Sequence, residues 1–376
     1  MKHLLNLFKI QVDDFLVMIS IGLKKSITEE EIFSNEIKVS YLKRIDKIFE
    51  KGLHYYLDPK APQDSKEASI FFRKQDFNAD LNIEAKRVVN HFEEFKISLS
   101  AIAKLAELEI KRTIPIYSTN HNPKKVAIEI RKILYPEFNP NLRDFLKSLI
   151  YKFAEYNVLV FEFIEYWNQN EKANIDGFFL SPNVIVVKRQ QTSFRREIFT
   201  LIHELAHFLL NEEEIEQLEI EQLGRNDLTA TERWCNDFAF YFLAGEYSNV
   251  IDSLENATSQ NDYHHDLIKT ISEKTHLSQI AIFTRLLLQN QISPYNYSKV
   301  KSDFDEKFRE HQEELRRIKK LEKQQGIKRG GAAPQAIKSP LLVNTIQTAF
   351  YEGVLNEYEV CKRLNIKPDK LDKYLQ

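Results

Sequence analysis

Cysteine is scarce. Cys235 and Cys361 are the only two in 376 residues, too few for a disulfide framework, and this usage fits a reducing compartment. An excess of either charge is also missing. Against 55 Asp and Glu stand 53 Lys and Arg, a formal net charge of −2, which argues against a protein that coats nucleic acid over its whole surface. Long apolar runs are absent too. The N-terminal run at residues 15–23 is too short to span a bilayer and lacks a small-residue cleavage site, so a cytoplasmic location and no membrane partner are expected. Glycine is rare, nine residues against 26 Phe and 16 Tyr, which predicts a mostly helical, well-packed chain. The rest of the composition, 43% hydrophobic and 29% charged, is that of a soluble globular protein with room for two or three domains.

The most informative stretch is residues 199–210. Apolar side chains fill most of it, no Gly or Pro interrupts it, and three polar groups break the pattern: His203, Glu204 and His207. Histidines four apart lie on one helical face about one turn from each other, so both imidazoles can reach one metal ion. Glu204, next to the first, is placed to take a proton from water. A chance motif of this kind falls more often on a charged surface helix than inside an apolar one.

A zinc site of this type needs a third protein ligand and one open position. No Gly or His follows at the metzincin positions. An acidic connector leads instead to a second mostly apolar helix beginning near Thr231, with Glu232 in its first turn and Asn236 one turn on, on the same face. A carboxylate about 25 residues after the second His, on a helix packed against the first, is the Glu-ligand arrangement.

At these residues the chain resembles the ImmA/IrrE family of metallo-endopeptidases. The resemblance rests on residues 199–207, on Glu232 with Asn236, Phe238 and Ala239, and on two upstream pieces, residues 177–182 and Val184, Ile185, Val186 and Val187. It covers roughly residues 115–295. Lys188 departs from the pattern, where such proteins usually carry Asn. The resemblance implies an α+β fold: a mostly helical, zincin-like core with a small sheet, flanked by helical modules. It also implies a small gluzincin-like zinc peptidase acting on a regulatory protein, often a DNA-binding repressor or a partner in a defence or mobile-element module.

In chain order, residues 1–58 predict short helices. Ser26 to Glu31 read as a capped helix start. This region resembles, weakly, the XRE-type helix-turn-helix often fused to the family; a helical packing module is the alternative. Residues 59–112 are expected to be a linker and connecting helices, and residues 113–298 the metallopeptidase domain. Within it, Asn122 and Pro123 start a helix that ends at Pro136, residues 142–155 form a second helix, and residues 158–164, 178–180 and 184–187 form strands. The backbone at Val184, Val186 and Lys188 is expected to pair with an extended substrate, or else to be a plain structural strand. Arg189, Arg195 and Arg196 are either solvated or paired with the acidic stretch 211–221, whose six Glu form a solvated face or a rim for a basic substrate. Tyr241, Tyr263 and His264 are unranked candidates for a transition-state donor, and Cys235 reads as a small buried side chain. Residues 299–335 predict a charged helix and flexible linker, its basic stretch 315–329 either solvated or in contact with nucleic acid. Residues 336–376 predict a small helical C-terminal module.

The expected function is therefore zinc-dependent endoproteolysis, with His203, His207 and Glu232 as ligands of Zn²⁺ and Glu204 as the base. The alternative is a DNA-binding regulator or antitoxin-type binding protein in which the metal is structural or vestigial.

Overall fold

The computed structural model describes residues 1–8, 10–34, 36–49, 51–58, 81–165, 172–189, 193–214, 229–327 and 334–375. Much of the linker expected within 59–112, most of the Glu-rich connector, and part of the flexible linker expected before residue 335 lie outside these residues.

Five N-terminal helices, α1 (Lys2–Leu7), α2 (Val12–Ser20), α3 (Glu29–Phe33), α4 (Val39–Phe49) and α5 (Leu53–Leu57), share a core of their own built on Phe8, Phe15, Ile45 and Phe49. Thr28 caps α3 and Glu31 bonds back to the Thr28 amide, the reciprocal start expected from the local sequence. Residues 21–28 join α2 to α3, and 34–38 join α3 to α4.

The long helix α6 (Ile83–Leu105) follows, then α7 (Pro123–Leu134) and α8 (Leu142–Glu155). Asn122 caps α7, with Pro123 in its first turn. Three strands come next, β1 (Leu159–Phe163), β2 (Gly177–Leu180) and β3 (Val184–Lys188), and they form one sheet in the order β1-β3-β2. The β1 pairing is parallel, Leu159 opposite Val184, and the β2 pairing antiparallel, Leu180 opposite Val184.

This order corrects one expectation. β3 is the central strand, and its main-chain groups are taken up on both sides. The backbone at Val184, Val186 and Lys188 therefore has no edge left to offer a substrate. Val184 and Val186 are buried, and the Lys188 ammonium bonds Glu165 at 2.8 Å and the Ala173 carbonyl at 2.7 Å.

The strands' side chains alternate between two cores. Val160, Phe179, Ile185 and Val187 point into the larger one, shared with α7, α8, α9 (Phe194–Leu210) and α10 (Ala230–Ala244). Leu159, Phe161, Phe178, Leu180, Val184 and Val186 point into the other, which α6 closes from one side. The helices α15 (Pro340–Tyr351) and α16 (Glu357–Leu364) complete that second core through Leu342, Ile346 and Val360. Both sheet faces are covered, so the strands read as continuous apolar runs.

The second core also takes in the expected connecting helix and C-terminal helices: residues 83–105 and 336–375 pack on the sheet of the peptidase region. Arg143 ties the entry to α15: it bonds Glu162 at 2.6 Å and the Gln335 carbonyl at 2.7 Å, while the Ile337 amide donates to Glu162. Between these parts lie α11 (Tyr247–Asp252), α12 (His265–Lys274), α13 (Gln279–Leu288) and the 31-residue helix α14 (Pro294–Gln324). The mostly helical α+β class holds. Among the described residues no helix is long and apolar enough to cross a membrane.

Candidate metal centre

The helix α9 starts at Ser193, whose hydroxyl accepts from the Arg196 amide, and ends at Asn211 in the left-handed region (φ 54°). Its arginines fix its start. Arg195 donates to the Ser272, Thr275 and Leu277 carbonyls, Arg196 to Asp176 at 2.8 Å, and Arg189 to Glu197 at 3.1 Å. Packed between sheet and helices, α9 buries almost every side chain from Ile198 on, the three polar ones included: His203 is 2% exposed, Glu204 5% and His207 2%.

The neighbouring helix α10 supplies the third group. Thr229 caps it by accepting from the Glu232 amide at 3.1 Å, so the cap directly sets where that carboxylate begins. Glu232 is fully buried. His203 Nε2 lies 3.1 Å from one of its oxygens, His207 Nε2 3.0 Å from the other, and the two ring nitrogens are 3.2 Å apart. Three buried lone-pair donors thus face a single point. One proton can bridge only two of them. A tetrahedral metal with bonds of about 2.0–2.1 Å requires ligand atoms about 3.3 Å apart, close to what is seen. The three residues fit a metal ion, and they form the one such group among the described residues.

Electrostatics follow the geometry. Burial alone raises the Glu232 carboxyl, but the two imidazoles, His203 foremost, hold it well below the usual carboxylate range. Burial pushes Glu204 the other way, to about 8, with His207 opposing and Glu232 adding to the rise. Cys235 is fully buried and its thiol is raised well above normal by burial, so it stays protonated beside the site and outside the ligand group.

The other candidates are occupied elsewhere. The Tyr241 hydroxyl accepts from Arg285 at 2.7 Å and meets Asp252 at 3.2 Å. His264 Nε2 lies 3.0 Å from the Glu255 carbonyl, and the buried Tyr263 occupies a left-handed turn (φ 51°). Asn236 is 9% exposed, with neither amide atom bonded to protein.

Gly177, at the start of β2, is the neighbour that sequence reasoning left without a role. A Cβ there would meet Thr200 Cγ2 at 2.7 Å, and Glu204 Cγ and the Val186 carbonyl at 3.1 Å. The available signal was a glycine inside a strand, which marks close approach of another chain segment.

No curated protein and no solved structure matches this chain. Residues 164–282 match the family model of the IrrE N-terminal-like domain, a peptidase family. That span begins beside β1, holds His203, Glu204, His207 and Glu232, and ends within α13. The segment that carries the candidate metal centre is therefore similar to that peptidase family.

Proposed function

We propose that this chain is a zinc-dependent endopeptidase, working in the cytoplasm, that hydrolyses peptide bonds in a regulatory protein of the repressor or toxin-system kind. The observation that carries this reading is the convergence of His203, His207 and Glu232 within 3.0–3.2 Å, one residue from a buried carboxyl. The partner class rests on the family resemblance.

His203 and His207 hold the ion through Nε2 and Glu232 through its carboxylate. Zinc bound there supplies a Lewis acid and lowers the pKa of water toward about 7. Glu204 takes the proton of the attacking water and delivers it to the departing amine as the peptide C–N bond breaks. Because β3 has no free edge, we assign the extended substrate to the outer edge of β2, at whose first residue a Cβ would come within 3.1 Å of Glu204 Cγ.

Nucleic-acid contact through residues 1–58 or 315–329 is not part of this proposal. Residues 315–324 of that stretch continue an acidic half of the same helix, which repels phosphate. The test is incubation of the wild type and Glu204→Gln with the regulatory protein encoded beside it. Zinc-dependent cleavage by the wild type alone supports the enzyme. A tight complex left uncleaved by both supports the antitoxin-type binder.

A further inference from the structure

The helix α14 runs past the body it starts on. Its first turns are anchored: Tyr297 and Val300 are buried, and the Phe304 ring packs 6.1 Å from Phe283 and 5.9 Å from His265. The same seam then continues at three- and four-residue steps through Phe308, His311, Leu315 and Ile318, all exposed. Phe308 is 53% exposed and Ile318 38%. From residue 305 to the end of the helix this overhang measures about 30 Å. A largely apolar seam at heptad spacing, exposed along a helix, is the pattern of a coiled coil lacking its second strand.

Charge along the overhang identifies that strand. Residues 303–314 carry six acidic side chains, Asp303, Asp305, Glu306, Glu310, Glu313 and Glu314, against Lys307 and Arg309. Residues 316–323 carry five basic ones, Arg316, Arg317, Lys319, Lys320 and Lys323, against Glu322. A second copy laid antiparallel sets each acidic half beside a basic half. A parallel copy sets acidic half beside acidic half and basic beside basic, relieved only where Glu314 meets Lys319.

We propose that two copies of this chain associate through α14 in an antiparallel coiled coil. With the twofold axis near Glu313, Phe308 packs opposite Ile318 of the second copy, His311 opposite Leu315, and Asp305 lies beside Lys319. Glu314 meets its own copy near the axis, a like-charge pair that keeps the dimer modest in strength. The proposal does not depend on whether the metal centre is catalytic.

Sedimentation equilibrium of the full chain tests it, at low and raised salt. A monomer–dimer equilibrium that weakens with salt is expected. Leu315→Glu with Ile318→Glu should weaken it more than about tenfold while leaving the thermal midpoint of the monomer unchanged, because both side chains face solvent. Orientation is read by oxidation. Mixed Phe308→Cys and Ile318→Cys chains should form a 308–318 disulfide, and Phe308→Cys alone none. A monomer at every soluble concentration overturns the proposal, and so does a 308–308 disulfide. Duplex DNA bound by a monomeric wild type and lost in the double Glu variant also overturns it, in favour of a nucleic-acid surface.

Discussion

Gly177 leaves no free room for a side chain beside Glu204. A Cβ built on Gly177 would come within 3.1 Å of Glu204 Cγ and 2.7 Å of Thr200 Cγ2, with the Val186 carbonyl closing the third side at 3.1 Å. The strand beside the metal helix is thus shaped around the stem of the candidate base. Gly177→Ala should cost about 1–3 kcal/mol of stability by overpacking. It should lower kcat on the order of 10²-fold by displacing the carboxyl, with bound zinc unchanged. Adding Thr200→Ser removes the nearest methyl and should restore much of the melting temperature. Loss of zinc in Gly177→Ala would mean that the glycine serves the ligands and not the base.

Glu204→Gln keeps the side chain's shape and removes its capacity to take a proton. We expect one bound zinc per chain, as in the wild type, and hydrolysis reduced by about 10²–10⁴-fold. An unchanged rate would assign the base to another group.

Glu232→Gln removes the carboxylate that faces both imidazoles at 3.0–3.1 Å. Zinc measured by mass spectrometry should fall to trace levels. In the wild type, free zinc at about 100 times its dissociation constant should add about 2.7 kcal/mol to unfolding stability, an increment absent from the variant. Equal metal content in both proteins would rule out Glu232 as a ligand.

Thr229→Ala removes the cap that holds the Glu232 amide. It should cost about 1 kcal/mol and weaken zinc binding by less than Glu232→Gln does. Calorimetric titration of zinc into both variants compares them. A variant that binds zinc as tightly as the wild type would show that α10 packing alone positions the carboxylate.

His276 predicts a pH dependence away from the metal. Its ring stacks on Phe145 with centroids 3.4 Å apart, and its nitrogens meet the Tyr135 hydroxyl at 3.2 Å and the Asn139 carbonyl at 2.9 Å. Burial lowers its pKa from 6.5 to about 4. The neutral ring is the folded form, so its contribution is complete above pH 6.5. It is lost as pH falls toward 4, because the unfolded chain takes the proton first. The loss over that window is about 3 kcal/mol. His276→Phe should flatten this part of the urea-denaturation profile, and an identical acid limb in both proteins would contradict the assignment.

Local chemistry made much of this legible beforehand. Asn122 with Pro123, and the bounds of α8 at Leu142–Glu155, follow from capping and helical periodicity within a few residues. The four-residue spacing of His203 and His207 likewise needs no more than helix geometry. Strand order did not follow. β3, expected to pair with a substrate or to be a plain structural strand, lies between β1 and β2 through a parallel pairing that joins residues 159–163 to 184–188. Its burial on both faces erases the alternation that would mark a one-sided strand. The C-terminal helices also looked separate, because their apolar positions do not say which surface they cover.

The sequence alone determined which atoms are available for metal chemistry: two imidazoles one helical turn apart, a carboxyl beside the first, and a second carboxylate in the first turn of the next helix. Helix geometry is local, and those placements follow from a handful of neighbouring residues. Tertiary packing alone decided that Glu232 meets both rings, that a side chain at Gly177 would crowd Glu204, and that the seam of α14 is packed as far as Phe304 and exposed from Phe308 to Ile318. Each of these depends on where segments far apart in the chain come to lie, and no local pattern of side chains encodes that.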